Sequence, residues 1–455
     1  MAKQTINIGT SANDGTGSTL REAFDICNDN FTEIYGGTNT AFQFKAEGTN
    51  FTGSLLIGHN TTGVISSAEN NVGVGIGALD ALTTSDNNVA VGYNAGTAIT
   101  TGKENTLVGS GAGDSLTLGE KNVAIGKGAL SAEDTGDKNV AIGHGALQSA
   151  NYDGEACNIA VGFDAGVLVS TGIGNTIMGA YAGDALTAGS KNIAIGYGAL
   201  STEDDHGKNV AVGYSALNAQ NAGADAYNVA VGYHAGLLVS TGAQNTVIGG
   251  LAGDALTTGS NSTFVGYAAG SAGTIASFNT AIGHAALAQN VAAQLNTAIG
   301  NNALYAMTAA TSTNTYNTAV GHNAGLSVTS GTFNTLIGGL AGDALTTGTA
   351  GNVAVGYQAL SAQVEYGQNV AIGTQALRDQ NVNSHGNNVA VGHQAGLSVS
   401  TGTSNTLIGS LAGDALTSGS YNVVLGMFAL STEDTGGRNV AIGYKALEDL
   451  NYAGS

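Results

Sequence analysis

The chain has 455 residues, of which 72 are Gly, none is Pro or Trp, and only 10% carry a charge. A formal charge of −20 excludes the Lys/Arg stripes that displace counterions from nucleic acid, and no apolar run is long enough to span a membrane as a helix. Cys27 and Cys157 are the only cysteines, which excludes a disulfide framework, and Gly without a Gly-X-Y period excludes collagen.

In chain order, the opening "MAKQTINIGTSANDG" lacks the apolar core of a secretory signal, so synthesis in a host cytoplasm is expected, with any exit by a route other than a signal sequence. "NDGTG" reads as a turn, and Thr19 with Glu22 forms a capping box for a helix over 19–35. Leu20, Phe24, Cys27, Phe31 and Ile34 follow as a narrow coiled-coil seam, with Cys27 as a plain core residue. A single helix of about 16 residues is marginal in water, so this one needs partners. The segment closely resembles an N-terminal module of baseplate and fibre proteins of contractile-tailed bacteriophages. Ile6, Asn7, Ile8, Gly9, Asn13 to Gly17, and Asn28 to Tyr35 carry the likeness. It implies that residues 1–36 are an attachment or trimerisation end that meets other virion proteins. Residues 37–53 are rich in Thr, Asn and Gly, with "AFQFKAE" as a candidate strand, and read as a linker.

Beyond the linker one phrase recurs. "NVAIGKGAL" (Asn122–Leu130) returns 17 residues later as "NVAIGHGAL" (Asn139–Leu147). Asn71, Asn88, Asn105, Asn122, Asn139, Asn158, Asn175, Asn192 and Asn209 open successive units, and the register runs on to Asn439. There are 22 units, with Ser262 as the one opening residue that is not Asn. "SLLIGHNTTG", starting at Ser54, reads as a worn first unit and cap, giving a shaft over 54–455 of about 23 coils. Seventeen residues suit one solenoid coil with two short strands and two turns.

Counting from the asparagine, positions 2 and 4 are aliphatic or Thr and share one strand face, while position 3, usually Ala, takes the other. A strand apolar on both faces is covered on both sides. Position 5 is always Gly and position 8 always Ala. Position 9 alternates in pairs, as Gly96 and Gly113, then Leu130 and Leu147; beside Gly, an aliphatic residue comes three places on, as Ile99 and Leu116. Two sites thus fill one space. A second exchange reads the same way: Leu107, Ile177, Val247, Leu336 and Leu407 at position 3 accompany small residues such as Ser110 at position 6, and Phe264 with Tyr267 breaks the pattern. The larger repeat is therefore about four coils, with one extra coil at Ser262. A few buried aliphatic side chains per coil do not offset the entropy of ordering it. The small-residue face is therefore expected to be sheltered by further copies of the chain.

These repeats look like the head repeats of YadA-type trimeric adhesins, and phage tail fibres use similar ones. The resemblance spans about residues 54–455. It implies an all-β, left-handed parallel β-roll or β-helix solenoid in an intertwined or side-by-side homotrimer, with the N-terminal helix as a trimeric collar. At about 4.8 Å per coil the shaft would be on the order of 110 Å long. The asparagines from Asn88 to Asn209 would then stack as an amide ladder, each bonding the coils above and below.

Candidate chemistry is sparse. The acids of "AGDAL" and "AGDSL" (Asp114, Asp184, Asp254, Asp343, Asp414) lie too many coils apart to share calcium, and a turn-capping role is favoured. His144, His284, His322 and His393 at position 6, with His234 next to it, suggest a metal column, but Tyr replaces them freely, so a surface aromatic role is preferred. With 12 Lys and Arg in all, a catalytic groove is not expected; neither is a cofactor or metal. Coil expansions are the candidate recognition loops: Asn151 and Tyr152, Asn221 and Tyr227, Tyr305 and Tyr316, Asn381 and His385. Asn, Gln and Tyr there suit sugars of a host surface. "LNYAGS" follows directly on the last coil, and two expectations stand open: a docking end for another fibre protein, or a C-terminal chaperone or tip that has been removed. The expectation is a non-enzymatic structural fibre of a bacteriophage virion, on its tail or baseplate, with no nucleic-acid or membrane partner. A bacterial trimeric adhesin head and a glycan-degrading tailspike are the alternatives.

Overall fold

Glycine at position 5 sets the path of every coil. Gly92 has φ +143°, and a Cβ there would stand 2.4 Å from the carbonyl oxygen of Gly109 one coil on. Only a residue without a side chain lets successive backbones lie so close. The computed structural model describes residues 44–48, 51–57, 66–309, 311–347 and 351–450. The helix expected over 19–35, with Leu20, Phe24, Cys27, Phe31 and Ile34, lies outside the described residues.

Two units, Met1–Asn192 and Ile193–Ser455, are built alike. In the first, strand β1 (Phe44–Gly48) runs antiparallel to β2 (Phe51–Ile57), so part of the stretch read as linker is a hairpin. Strand β2 then pairs in parallel with β3 (Val72–Val74), Leu56 opposite Gly73, which puts Ser54 in phase with the asparagines. From there each coil contributes one three-residue strand, parallel to and in register with the last, through Val123–Ile125 and Val140–Ile142 to Thr176–Met178. The second unit repeats the scheme from Ile193–Ile195 to Val440–Ile442. Each unit is thus an all-β parallel solenoid with a 17-residue period, and no helix occurs among the described residues.

The second strand expected in each coil is not formed. Among the described residues a second pair of strands occurs only between Ala293–Gln294 and Thr313–Asn314, besides the single bridge from Asp137 to Glu155. The reason lies in the turn after position 5. Asn94 and Gly96 follow Gly92 with φ of +54° and +57°, so the chain bends repeatedly where a strand would have to run straight.

The strand faces are the reverse of the expectation. Position 3 points into the coil: Ala90, Ala124, Ala141, Ala230 and Ala281 are fully buried. The aliphatic residues at position 4 point outward, with Ile125 37% and Ile282 38% exposed. Small size is needed inside because a 17-residue coil encloses little volume, which Asn at position 1, Ala at 3 and 8, and one large side chain nearly fill.

That large side chain comes from position 9 or 12, and Leu130, Leu147, Ile99 and Leu116 are all fully buried. The second exchange needs a different account. Leu107 lies inside and Ser110 lies exposed on the outside, so the two do not compete for space. What admits Leu107 is a pair of stacked position-9 glycines. A Cβ on Gly96 would stand 2.7 Å from Leu107 Cδ1, and one on Gly113 would stand 2.9 Å from its Cδ2. Ile177 sits in the same way by Gly166 and Gly183, Leu336 by Gly325 and Gly342, and Leu407 by Gly396 and Gly413. Phe264 then ceases to be an exception. It lies between Gly253 and Gly270, its own coil has Gly273 at position 12, and Tyr267 is outside.

Candidate functional site

The asparagine column is the most regular polar feature of both units. Each Oδ1 accepts the backbone N–H of the asparagine one coil on: Asn88 from Asn105 at 3.0 Å, Asn105 from Asn122 at 2.9 Å, Asn122 from Asn139 at 2.9 Å. Asn139, Asn158 and Asn175 continue the series, accepting from Asn158, Asn175 and Asn192, and in the second unit Asn209 accepts from Asn228. The Nδ2 group mostly closes its own coil, from Asn88 to Gly102 O at 3.0 Å and from Asn122 to Gly136 O at 2.8 Å. Side-chain amide to backbone, rather than amide to amide, is therefore the main bond of the column. Ser54 and Ser262 serve in place of Asn by accepting the next N–H on a hydroxyl, at 2.8 and 3.3 Å. Buried backbone groups are thereby satisfied, which marks the column as structural.

A second buried polar position, at 12 in coils with Leu at position 9, was not singled out from the sequence. Glu133, Glu203, Gln220, Gln363, Gln380 and Glu433 are all fully buried there. Glu133 Oε1 accepts the Gly136 N–H at 2.7 Å, and its Oε2 accepts that of Tyr152 at 3.4 Å. Burial pushes the Glu133 carboxyl above its usual range, against those two bonds. Glu203 is likewise raised by burial, but it faces His206, whose Nδ1 stands 3.7 Å from Oε1. The signal was present in "SAED", "STED" and "STED", where an acid falls in an aliphatic slot.

The repeated acids Asp114, Asp184, Asp254, Asp343 and Asp414 cap their own turns. Burial raises the pKa of each, and backbone N–H groups, starting with their own, oppose that shift. In Asp184, Asp254, Asp343 and Asp414 one carboxylate oxygen is buried without a hydrogen bond.

Position 6 and its neighbour form exposed columns of rings. Tyr197 stacks on Tyr214 at 5.2 Å, Tyr214 on Tyr233 at 5.6 Å, and Tyr233 on His234 at 3.9 Å. His144 stacks on Phe163 at 5.1 Å and His284 on Tyr267 at 5.5 Å, so these histidines take the place of aromatic rings.

The coil expansions are held one by one. Asn151 is exposed, and Tyr152 leans on the coil of Glu133. Asn221 is pinned through its N–H to Ser240 O at 2.9 Å, while Tyr227 accepts from Lys208 Nζ at 3.0 Å. Lys208 also pairs with Asp225 at 2.5 Å, which raises the Lys208 pKa and lowers that of Asp225. Tyr305 is half-buried; Tyr316 is exposed and stacks on Phe333 at 5.7 Å. The Asn381 N–H reaches Ser400 O at 2.8 Å, and the exposed His385 meets Tyr366 edge-on. Each loop leans on coils beside it through these contacts and presents polar side chains at the edge. Compared with known proteins, the chain matches no family model, no curated protein and no solved structure.

Proposed function

We propose that the chain is a structural fibre protein of a bacteriophage virion, tail- or baseplate-associated, working as a homotrimer. One observation carries the assembly: the outward strand face. Within the second unit Ile248, Ile282, Ile299, Ile337, Ile372 and Ile408 recur on it at position 4, each more than a third exposed, with Thr or Val beside them and no charge. Such a continuous apolar face is what sister copies would cover. This replaces the small-residue face as the contact, and the number three comes from the resemblance to YadA-type repeats. The N-terminal segment would attach the fibre to other virion proteins, and its likeness to phage modules favours this reading over a bacterial adhesin head. Exposed Tyr, Asn and His on the coil expansions would be the surfaces for host glycans or for another fibre protein. The work proposed is mechanical rather than a glycan-degrading tailspike's catalysis: the groove lined by Tyr93, Asp114, Lys127 and Gln148 in the first unit offers a single acid and a single lysine.

Sedimentation equilibrium of the full chain, with gold-labelled antibody on intact virions, tests the proposal. Three chains per particle and label at the tail are expected; a monomer or unlabelled virions would overturn it.

A further inference from the structure

Three coils carry a fully buried Glu at position 12, in "SAEDTG", "STEDDHG" and "STEDTG". In the first and last, position 15 is glycine for a steric reason. A Cβ on Gly136 would lie 2.5 Å from the Glu133 carboxyl carbon, and one on Gly436 would lie 2.6 Å from that of Glu433. Each carboxylate takes the glycine N–H, at 2.7 Å for Gly136 and 2.6 Å for Gly436.

The middle coil departs from this. His206 stands where glycine is needed, and its N–H reaches Glu203 Oε1 at a longer 3.3 Å. Its ring is partly exposed and sets Nδ1 3.7 Å from the same oxygen. Glu203 Oε2 is buried without a well-formed hydrogen bond; the Ala222 N–H, in the place Tyr152 takes for Glu133, is near enough to favour the charged carboxylate but is a minor influence on it. Asp204 completes the group: one ligand atom each from Glu203, Asp204 and His206 lies within 4.8 Å of the others. The following residues are engaged elsewhere, the Gly207 N–H with Asp225 at 3.1 Å and Lys208 with Asp225 and Tyr227.

We propose that Glu203, Asp204 and His206 form a binding site for one borderline divalent cation, Zn²⁺ or Co²⁺, per chain. Two carboxylate oxygens and an imidazole nitrogen are the donors such ions take, whereas Ca²⁺ and Mg²⁺ prefer all-oxygen shells. Ligands about 2.1 Å from a tetrahedral ion stand roughly 3.4 Å apart, so the loop closes by about 1 Å on binding. The exposed side of His206 gives the ion its entry, and water fills the remaining coordination. The ion neutralises the buried carboxylate, whose Oε2 lacks a well-formed hydrogen bond, and it locks one corner of one coil. The site does not depend on how the chain assembles.

The test is a Co²⁺ titration of the full chain without an affinity tag, followed by its visible ligand-field absorption, with Zn²⁺ as displacing ion. Expected are one Co²⁺ equivalent per chain, displacement by Zn²⁺, and loss of the band in both Glu203→Gln and His206→Gly. Both variants have precedent in the same fold: Gln220, Gln363 and Gln380 are buried at position 12, and Glu with Gly is the arrangement of Glu133 and Gly136. Zn²⁺ raises the melting temperature of the parent chain and leaves that of either variant unchanged. No band at saturating Co²⁺, or a band that survives either substitution, overturns the proposal.

Discussion

Phe264 and Gly270 share one volume: a Cβ on Gly270 would stand 2.8 Å from Cζ of the ring. The largest side chain in either core is admitted because Gly253 and Gly270 leave their places empty beside it. Gly270→Ala therefore meets both the ring and an unfavourable φ of +62°. We expect a loss of about 2–4 kcal/mol, read by urea unfolding and by hydrogen exchange in the coil from Ser262 to Phe278. Adding Phe264→Ala, the residue found at position 3 in most coils, recovers part of it. A Gly270→Ala chain as stable as the parent would show that the ring does not need that space.

The asparagine column predicts a graded response. Asn122 accepts the Asn139 N–H at 2.9 Å and donates to Gly136 O at 2.8 Å, all within a buried site. Asn122→Ala strands a donor and an acceptor at once, at a cost of about 2–4 kcal/mol. Asn122→Ser should cost less, because Ser262 already holds the next N–H with its hydroxyl. Equal losses for Ala and Ser, measured by thermal and urea unfolding, would remove the hydrogen bond as the cause.

The period, the parallel stacking and the Gly or Leu alternation were legible because each repeats a backbone demand at fixed spacing. The direction of the strand faces was not. Val123, Ala124 and Ile125 are apolar throughout, and alternation alone does not say which side encloses the core. The enclosed volume decides it, and that becomes known only once Gly126, with φ +140°, is seen to turn the chain so tightly. The covariation of Leu107 with Ser110 misled for a related reason. It joins residues on opposite sides of the wall, whereas the room for Leu107 comes from Gly96 and Gly113 inside it. The buried Glu203 was hidden because an acid in an aliphatic slot reads as part of a solvated loop, and only the fold encloses it.

Acid should stabilise the chain at first. Burial raises the carboxyl pKa of Asp114, Asp184, Asp254, Asp343, Asp414, Glu133 and Glu203 above the unfolded values. Between the unfolded and folded pKa the native state binds more protons, so stability falls as pH rises through that window. Asp86, Asp225 and Glu155 are lowered by their lysine partners and act in the opposite sense, but these pairs are solvent-exposed and weak. A net charge of −20 works in the same direction as the buried acids. Melting temperature should therefore rise as the pH is lowered through the raised carboxyl values toward the ordinary Asp and Glu range, before the remaining pairs are lost. A steady fall over that range would refute the reading.

The outward face gives the sharpest contrast, since adjacent residues of one strand should fail in different ways. Ala281 is fully buried and Ile282 is 38% exposed. Ala281→Asp places a charge in a cavity with no partner and should unfold its coil, at a cost of about 4 kcal/mol or more. Ile282→Asp, together with Ile248→Asp two coils earlier in the same column, leaves each coil nearly as stable, within about 1 kcal/mol. In an assembly that joins sister chains along this face, the same pair brings like charges together at an apolar contact. Sedimentation should then show single chains with native far-ultraviolet circular dichroism. If the double variant sediments as the parent does, the contact lies elsewhere, and the exposed columns of Tyr197, Tyr214 and Tyr233 become the next surface to break.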